Sequence, residues 1–426
     1  MLDINYLKKN LGEAIRLLAF RDIKPGQINK ILLLDEKRRE LIQRVDKLKQ
    51  EKNEFSNSLS KLSSQERNDL IAQFTNKAKS NAQIKNNLGE IEATISRLLS
   101  ELPNIPASDV KPGNDEENNE IIKSIGQVKK FSFTPKDHLQ LGTSLDIIDT
   151  KTAAKVSGSR FGYLKNEAVL LEFALINLAF SILRPEGFQL VLPPVMIKDE
   201  MMSGLGYLAG QGEAETYHFE NDGLFFIGTA EHALIPMEAG NIISDKELPV
   251  RLAGFSTCFR RESGSYGKDT QGILRVHQFD KIEMVSFATP DKSDQEQQFI
   301  LSLSEKLVQL LELPYRVIRL CTGETSFPSA RTYDIECWMP SQNKYRETGS
   351  ISNCTDYQSR RLKIRYKDNQ GKNSPLHTLN GTAYAIGRTL IAILENYQEK
   401  DGSVAIPTAL QPFLPGIKKI YPKVKP

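Results

Sequence analysis

The stretch FRRESGSYGKDTQGILRVHQFDKIE (259–283) places arginines and a carboxylate on a run with strand character, then a loop rich in Gly and Ser, then a second such run. A Gly- and Ser-rich interval between two runs of this kind indicates a turn. The stretch therefore predicts a strand–loop–strand unit, a shape that suits a clamp for a flat ligand. The sequence has no GxGxxG after a first strand and no GxxxxGK[ST], which excludes Rossmann and P-loop nucleotide binding.

Short apolar and β-branched runs around this unit alternate with helical stretches. The runs are FQLVLPPVMI (188–197), GLFFIGTA (223–230), LPVRLAGFSTCF (248–259) and YRVIRL (315–320), and the helical stretches are 167–183 and 295–313. Several runs are separated by turn-rich loops that are too short for crossover helices, which favours antiparallel pairing. The sequence therefore predicts an α+β fold on a largely antiparallel sheet.

The first hundred residues carry a repeat of seven. One series is Leu34, Leu41, Leu48, Phe55 and Leu62, and the second is Ile31, Val45 and Leu59. A later apolar run follows three- and four-residue steps at Phe74, Ile84, Leu88, Ile91, Ile95, Leu98 and Leu102. Between the two, Ser63 with Glu66 three residues later predicts a helix start. Two such helices form an antiparallel coiled-coil hairpin.

The polar faces of this hairpin are rich in basic residues. These are Lys37, Arg38, Arg39, Arg44, Lys47, Lys49, Lys52 and Lys61 on the first helix, and Lys77, Lys79, Lys85 and Arg97 on the second. Charge alone favours a solvated coiled-coil surface, and contact with phosphates is the alternative.

The segment PNIPASDVKPGNDEENNE (103–120) cannot continue a helix and has little to bury. It marks a boundary between an N-terminal domain, 1–102, a linker, 103–130, and a second domain, 131–426.

Composition sets broad limits on the protein class. With 39% hydrophobic residues, 26% charged residues and a formal charge of +3, the chain is typical of globular proteins. Its four cysteines lie far apart without a CxxC pair, which argues against a disulfide framework or structural zinc and favours a reducing compartment. Because no signal-peptide core or long apolar run is present, we expect a cytoplasmic location and no membrane partner.

The 259–283 stretch closely resembles motif 2 of class II aminoacyl-tRNA synthetases, in its seryl-tRNA synthetase form. Further segments agree: AAKVSGSRF (153–161), VLPPVMI (191–197) with Pro194 at the end of motif 1, GTAE (228–231), ETGSISNCTDYQSRR (347–361) and, for motif 3, HTLNGTAYAIGRTLIAILENYQ (377–398). The resemblance covers nearly the whole chain. It implies the class II antiparallel sheet flanked by helices, with the N-terminal antiparallel coiled-coil arm as the tRNA-binding element.

The resemblance also implies how ATP is held. Serine activation brings two anions together, the carboxylate and the α-phosphate, and fixed cations offset their repulsion. Arg260 would bridge the α-phosphate and the serine carboxylate, and Arg388 would hold the γ-phosphate; these two are the expected catalytic residues. Glu262 would accept a hydrogen bond from the adenine amino group, and adenine would stack on Phe279.

The segment that starts at Glu347 would complete the nucleotide site. Glu347 and Ser350 correspond to the family's contacts with ATP and Mg²⁺, and magnesium prefers such oxygen ligands. Further ATP contacts are expected from Arg261, Thr348 and Gly349.

The serine pocket would draw on three segments. Thr229 and Glu231 match the family's TxE loop, in which the acid holds the substrate ammonium. Glu283 and Thr382 match positions that contact the serine side chain, and Asn380 belongs to the same pocket. A pocket built to hydrogen-bond a hydroxyl rejects alanine because its polar groups would be left unpaired.

The expected partners follow from the resemblance: tRNA(Ser), serine, ATP and a second copy of the chain, with tRNA(Sec) where the cell contains it, and no DNA. Taken with the catalytic motifs, the resemblance favours phosphate contact by the coiled-coil arm over the interpretation as a solvated surface. Two alternatives remain open. One is a relative that loads a small amino acid onto a carrier protein, although such relatives lack the long hairpin. The other is a catalytically dead RNA-binding scaffold, which would not need Arg260, Glu262, Glu347 and Arg388.

Overall fold

The structure is a computed structural model, and it describes residues 1–59, 64–209, 212–263 and 271–423. The chain divides into two compact units, Leu2–Pro103 and Met1 with Asn104–Pro426. No helix within the described residues is long and apolar enough to cross a membrane.

The first unit is helical. Its helices are α1 (Ile4–Lys9), α2 (Leu11–Ala19), α3 (Pro25–Leu59) and α4 (Ser64–Ser100). Helices α3 and α4 pack against each other, and Ile31, Val45 and Ile95 of the predicted seam are buried. Several predictions lie outside the residues whose side chains are described, namely those on Lys52, Phe55, Leu59, Lys61, Leu62, Ser63, Glu66, Phe74, Lys77 and Lys79.

The second unit combines helices and strands. Its helices are α5 (His138–Ser144), α6 (Thr150–Ser157), α7 (Glu167–Leu183), α8 (Asp199–Leu205), α9 (Gly212–Glu215), α10 (Glu231–Leu234), α11 (Ser293–Leu310), α12 (Tyr357–Leu362) and α13 (Ile386–Asn396). Its strands are β1 (Glu120–Ile125), β2 (Ile148–Asp149), β3 (Tyr163–Leu164), β4 (Gln189–Val191), β5 (Met196–Lys198), β6 (His218–Phe219), β7 (Leu224–Phe226), β8 (Ile242–Ser244), β9 (Val250–Phe259), β10 (Gln278–Ala288), β11 (Tyr315–Arg319), β12 (Arg331–Met339), β13 (Lys344–Asn353), β14 (Arg365–Lys367), β15 (Asn373–Pro375), β16 (His377–Ala385), β17 (Val404–Ala405) and β18 (Lys419–Ile420).

The main sheet confirms the predicted antiparallel architecture. Within the described residues its strand order is β1-β11-β12-β13-β16-β10-β9-β4, and every pair except β4–β9 is antiparallel. Strand β1 falls inside 103–130, the stretch that we expected to be a linker. Because β1 pairs with β11, residues from Asn104 onward belong to the second unit.

Helices α7, α11 and α13 contribute to the core that packs on this sheet. The close packing of α11 on the sheet depends on a glycine in β16. A Cβ on Gly381 of β16 would lie 2.4 Å from Ile300 Cγ2 of α11 and 3.2 Å from Ile351 Cγ1 of β13. Only the absence of a side chain at Gly381 therefore lets α11 sit this close to the strand.

Candidate active site

A cleft of about 560 Å³ is lined by residues from the central strands β10, β13 and β16, from the end of β9 and from the start of α13. It gathers most of the residues predicted for the site: Thr229, Glu231, Arg260, Glu262, Phe279, Glu283, Glu347, Thr348, Gly349, Ser350, Asn380, Thr382 and Arg388. Arg261, which we also predicted for the site, does not line this cleft. Its Nε donates to the carbonyl of Thr216 at 3.0 Å, and its guanidinium lies 5.1 Å from the ring centroid of Tyr217.

Arg260 follows the last residue of β9 and is fixed from two sides. Its Nε donates to the carbonyl of Gly228 at 3.1 Å, and its guanidinium carbon lies 5.3 Å from the ring centroid of Phe279. Its backbone N–H donates to the carbonyl of His277 at 3.0 Å. The cation is therefore held next to the predicted adenine platform.

Arg388 lies in the first turn of α13 and pairs with Glu347 on β13. Its Nη1 is 3.0 Å from Glu347 Oε1 and also donates to the Glu347 carbonyl at 3.2 Å. The Arg388 charge holds the pKa of the Glu347 carboxyl below its usual value. A β-bulge supports this placement, since Gly349 faces Ile335 and Glu347 faces Glu336, which leaves Thr348 without a partner across the ladder.

Glu262 has a left-handed backbone, with φ of 52°. Non-glycine residues adopt this region only where contacts hold them there. Arg160 donates from Nη1 to the Glu262 carbonyl at 2.9 Å, and Arg275 Nη1 lies 3.1 Å from Glu262 Oε2. Sequence reasoning assigned no role to Arg275, although it lies on the same strand–loop–strand unit.

Glu231 begins α10 and is 2% exposed. The Tyr207 hydroxyl lies 3.0 Å from each carboxylate oxygen, and Gln358 Nε2 donates to Oε1 at 2.9 Å. Burial, followed by the nearby charge of Glu283, raises the pKa of Glu231 to about 7. Sequence reasoning missed Tyr207 and Gln358, because nothing in their local sequence points to Glu231.

A close helix–strand contact places Glu231. A Cβ on Gly254 of β9 would lie 3.0 Å from Leu234 Cδ1 and 3.3 Å from Ala230 Cβ. The bare Gly254 therefore lets α10 pack directly on the sheet. Thr229, just before the helix, accepts the Glu231 backbone N–H on Oγ1 at 3.4 Å.

The cleft face of β10 presents Phe279, Lys281 and Glu283, while Ile282 and Met284 point into the core. Thr382 Oγ1 donates to Glu283 Oε2 at 3.2 Å across the β10–β16 ladder. Lys281 Nζ lies 2.6 Å from the same oxygen. We did not predict Lys281, although the two-residue alternation between Phe279 and Glu283 signals it.

Two further polar residues line the cleft. Asn380 Nδ2 lies 3.8 Å from Cys354 Sγ. Asp334, which sequence reasoning missed, is 8% exposed and faces Ser350 across the β12–β13 ladder. Its Oδ1 is buried with no hydrogen-bond partner among the described residues. Burial, and then the charge of Glu347, raises the Asp334 pKa well above its usual value.

Comparison with known proteins agrees with this geometry. Residues 1–106 match the family model of the seryl-tRNA synthetase N-terminal domain, and residues 217–397 match that of the tRNA synthetase class II core domain (G, H, P, S and T). The serine–tRNA ligase of Dictyoglomus thermophilum is 43% identical over 425 residues, 99% of this chain and 100% of the relative.

Two solved structures with a similar fold are also seryl-tRNA synthetases. The seryl-tRNA synthetase from Pyrococcus horikoshii, complexed with ATP, superposes with a TM-score of 0.94 at 38% identity and full coverage of both chains. The cytoplasmic serine–tRNA ligase of Naegleria fowleri, in complex with AMP, gives a TM-score of 0.88 at 30% identity, covering 100% of this chain and 99% of the other. The chain belongs to the seryl-tRNA synthetase family, the class II ATP-dependent ligases that join serine to tRNA.

Proposed function

We propose that the chain activates serine with ATP to seryl-adenylate and pyrophosphate, and then transfers serine to the 3′-terminal ribose of tRNA(Ser). The observation that carries this proposal is one cleft that brings Arg260 and Arg388 together with two buried carboxylates, Glu231 and Glu283. The two arginines can bind the phosphates and the substrate carboxylate. The two carboxylates can bind the ammonium and the hydroxyl of a small amino acid such as serine.

Activation needs the serine carboxylate to attack the α-phosphate, two groups that repel each other in water. Arg260 would span both, and Arg388 would hold the γ-phosphate, so that the attacking oxygen and the leaving pyrophosphate stay in line. Adenine would lie on Phe279 with its amino group on Glu262. The Glu347–Arg388 pair already fixes the guanidinium, which limits the side-chain ordering that binding requires.

The residues near Glu347 suit a magnesium ion. Glu347 and Ser350 line the cleft, and the unpartnered buried oxygen of Asp334 lies on the neighbouring strand. Among the described residues no cluster of three His, Cys, Asp or Glu side chains that could hold a metal occurs, so triphosphate oxygens and water would supply the remaining ligands. Glu347 and Ser350 would hold the ion, which would supply charge neutralisation at the phosphates.

Isotope exchange between pyrophosphate and ATP, run with each candidate amino acid, tests the activation step. We expect exchange that depends on serine. As a matched pair, E231Q should abolish exchange because the ammonium loses its partner, whereas E220Q, at a surface position, should leave it unchanged. Exchange with glycine or threonine but not serine would overturn the substrate assignment.

We further propose that the coiled-coil arm binds tRNA, which the match of residues 1–106 to the family's N-terminal domain supports. Not all of the basic residues on the arm carry a charge that is free to meet a phosphate. Arg38 and Arg39 both pair with Asp35, at 2.7 and 3.4 Å, and Asp35 is fully buried. Their charge is therefore partly offset, whereas Lys37 and Arg44 are exposed.

Charge removal on α3 tests this role. The variant K37A/R44A/K47A should weaken tRNA charging and lower its dependence on salt, because each lost phosphate contact reduces counterion release. Serine-dependent exchange should be unchanged. The matched variant E36A/E40A, on the same helix, should not weaken charging. Equal charging by wild type and the triple variant would refute the arm's role.

The proposal includes a homodimer. In the second unit, Phe173 and Leu170 on α7 are 57% and 45% exposed, and Leu192 after β4 is 79% exposed. Leu170 and Phe173 are three residues apart and share one face of α7, and exposed large apolar side chains on one helix face indicate a surface that a second copy covers. Sedimentation of F173D should show a monomer where wild type shows a dimer, and a dimeric F173D would contradict this surface.

We propose a cytoplasmic location because the tRNA substrate is used there in protein synthesis. Charging would extend to tRNA(Sec) where the cell makes one. A charging assay with a tRNA(Sec) transcript tests this extension, and failure with tRNA(Sec) but not tRNA(Ser) would limit the function to tRNA(Ser).

A further inference from the structure

Lys281 is a buried cation to which the proposed reaction has assigned no task. Its side chain is 9% exposed, and it lies on the cleft face of β10 between Phe279 and Glu283. Burying an ammonium is unfavourable unless it is paired, and its partner here is Glu283, which is 2% exposed.

The contacts of Glu283 are asymmetric. Lys281 Nζ at 2.6 Å and Thr382 Oγ1 at 3.2 Å both engage Oε2. Within the described part of the chain, the ion pair and the side-chain hydrogen bond of Glu283 both fall on Oε2. Oε1 is therefore the oxygen that a ligand can use. Two donors on one oxygen also fix the rotation of the carboxylate plane.

A second carboxylate makes the cation necessary. Glu231, 2% exposed, lines the same cleft, and the two acids repel each other there. Without Lys281 the pocket would hold two buried anions and only one incoming ammonium, that of serine. With Lys281 the charges balance once serine has bound.

We propose that Lys281 is a positioning residue for substrate selection, which orients Glu283 so that Oε1 accepts the serine hydroxyl and thereby sets the preference for serine over alanine. This inference rests on the proposed serine pocket. Alanine has no hydroxyl to meet Oε1, so it gains nothing from an oriented Glu283. A pair that served folding alone would affect both amino acids equally.

The test measures pyrophosphate exchange with serine and with alanine for wild type, K281M and K281R. In K281M we expect serine kcat/KM to fall by about 10- to 100-fold, the range for a lost hydrogen bond to a charged group. Alanine kcat/KM and the KM for ATP should change little, so the serine-to-alanine ratio falls by the same factor. K281R should recover part of the ratio. The control K306M removes an exposed, ion-paired lysine on α11 and should change nothing.

Because K281M leaves Glu283 unpaired, folding is checked with K281M/E283Q, which removes both charges. The double variant should have the same serine-to-alanine ratio as E283Q alone, because Lys281 acts through Glu283. An unchanged ratio in active K281M, or a double variant less selective than E283Q, would overturn the role of Lys281. Wild type that fails to exchange with serine would instead refute the proposed function.

Discussion

Serine binding should depend on pH through Glu231. This carboxyl is buried, its pKa is raised to about 7, and it faces the place expected for the substrate ammonium. Only the ionised form offers the ammonium a charge-assisted hydrogen bond. Since the pKa lies above that of an ordinary glutamate, acidification below pH 8 removes the binding form, and the KM for serine should rise as the pH falls.

The size of the effect follows from the pKa. For a group that titrates near 7, about one tenth is ionised at pH 6 and about nine tenths at pH 8. The KM for serine should therefore fall about tenfold between these values. His232, next to Glu231, does not titrate in this range, because burial and the Arg260 charge lower its pKa to about 3. Burial raises the pKa of Tyr207 well above its usual value, so this tyrosine keeps its proton throughout.

The assay is pyrophosphate exchange from pH 6 to 8.5 with serine varied and ATP saturating. As a directional control, Y207F removes a hydrogen bond that favours ionised Glu231, so its midpoint should move to higher pH. A serine KM that stays flat from pH 6 to 8 in wild type, or a Y207F midpoint at lower pH, would refute the assignment of Glu231 to the ammonium.

Three further outcomes are expected. R388A should lower kcat/KM for ATP by about 100- to 1,000-fold in the exchange assay, with partial recovery in R388K; an unchanged value would contradict its phosphate role. G381A should cost about 1–3 kcal/mol of unfolding free energy, measured by denaturant titration, because its Cβ would overlap Ile300; an unaltered midpoint would argue against that contact. G89A on the exposed face of α4 meets nothing within 4 Å and should instead stabilise its helix by about 0.5–1 kcal/mol, seen as higher helicity on heating.

Local pattern accounts for the parts of the fold that sequence could predict. Helix α7 was expected at 167–183 and is found at Glu167–Leu183, because an apolar run of that length has no Gly or Pro to interrupt it. The expected 295–313 helix begins two residues earlier and ends at Leu310. Strand β1 was missed, because EIIKSI is exposed along its whole length and shows no apolar–polar alternation.

The same reasoning explains the uneven outcome at the site. Arg260 and Glu262 line the cleft while Arg261 between them does not, because Arg261 donates to the Thr216 carbonyl and lies against the Tyr217 ring. Tyr207 and Gln358 reach Glu231 across 24 and 127 residues of sequence, and no local pattern encodes such contacts. Asp334 resembles any strand carboxylate until its burial is known.

The part of the cleft around Glu231, which we propose to bind serine, lowers the stability of the empty protein above acidic pH. Raising the Glu231 pKa from 4.5 to about 7 means that the unfolded chain releases this proton first as the pH rises. Folding stability therefore falls between about pH 4.5 and pH 7, by about 3 kcal/mol in total for this one group. Tyr207, Gln358 and Lys281 each limit that cost, but none removes it. An ammonium group beside Glu231 would stabilise the ionised carboxylate and offset this cost. The cleft should therefore bind ligands that carry an ammonium group more tightly than ligands that lack one.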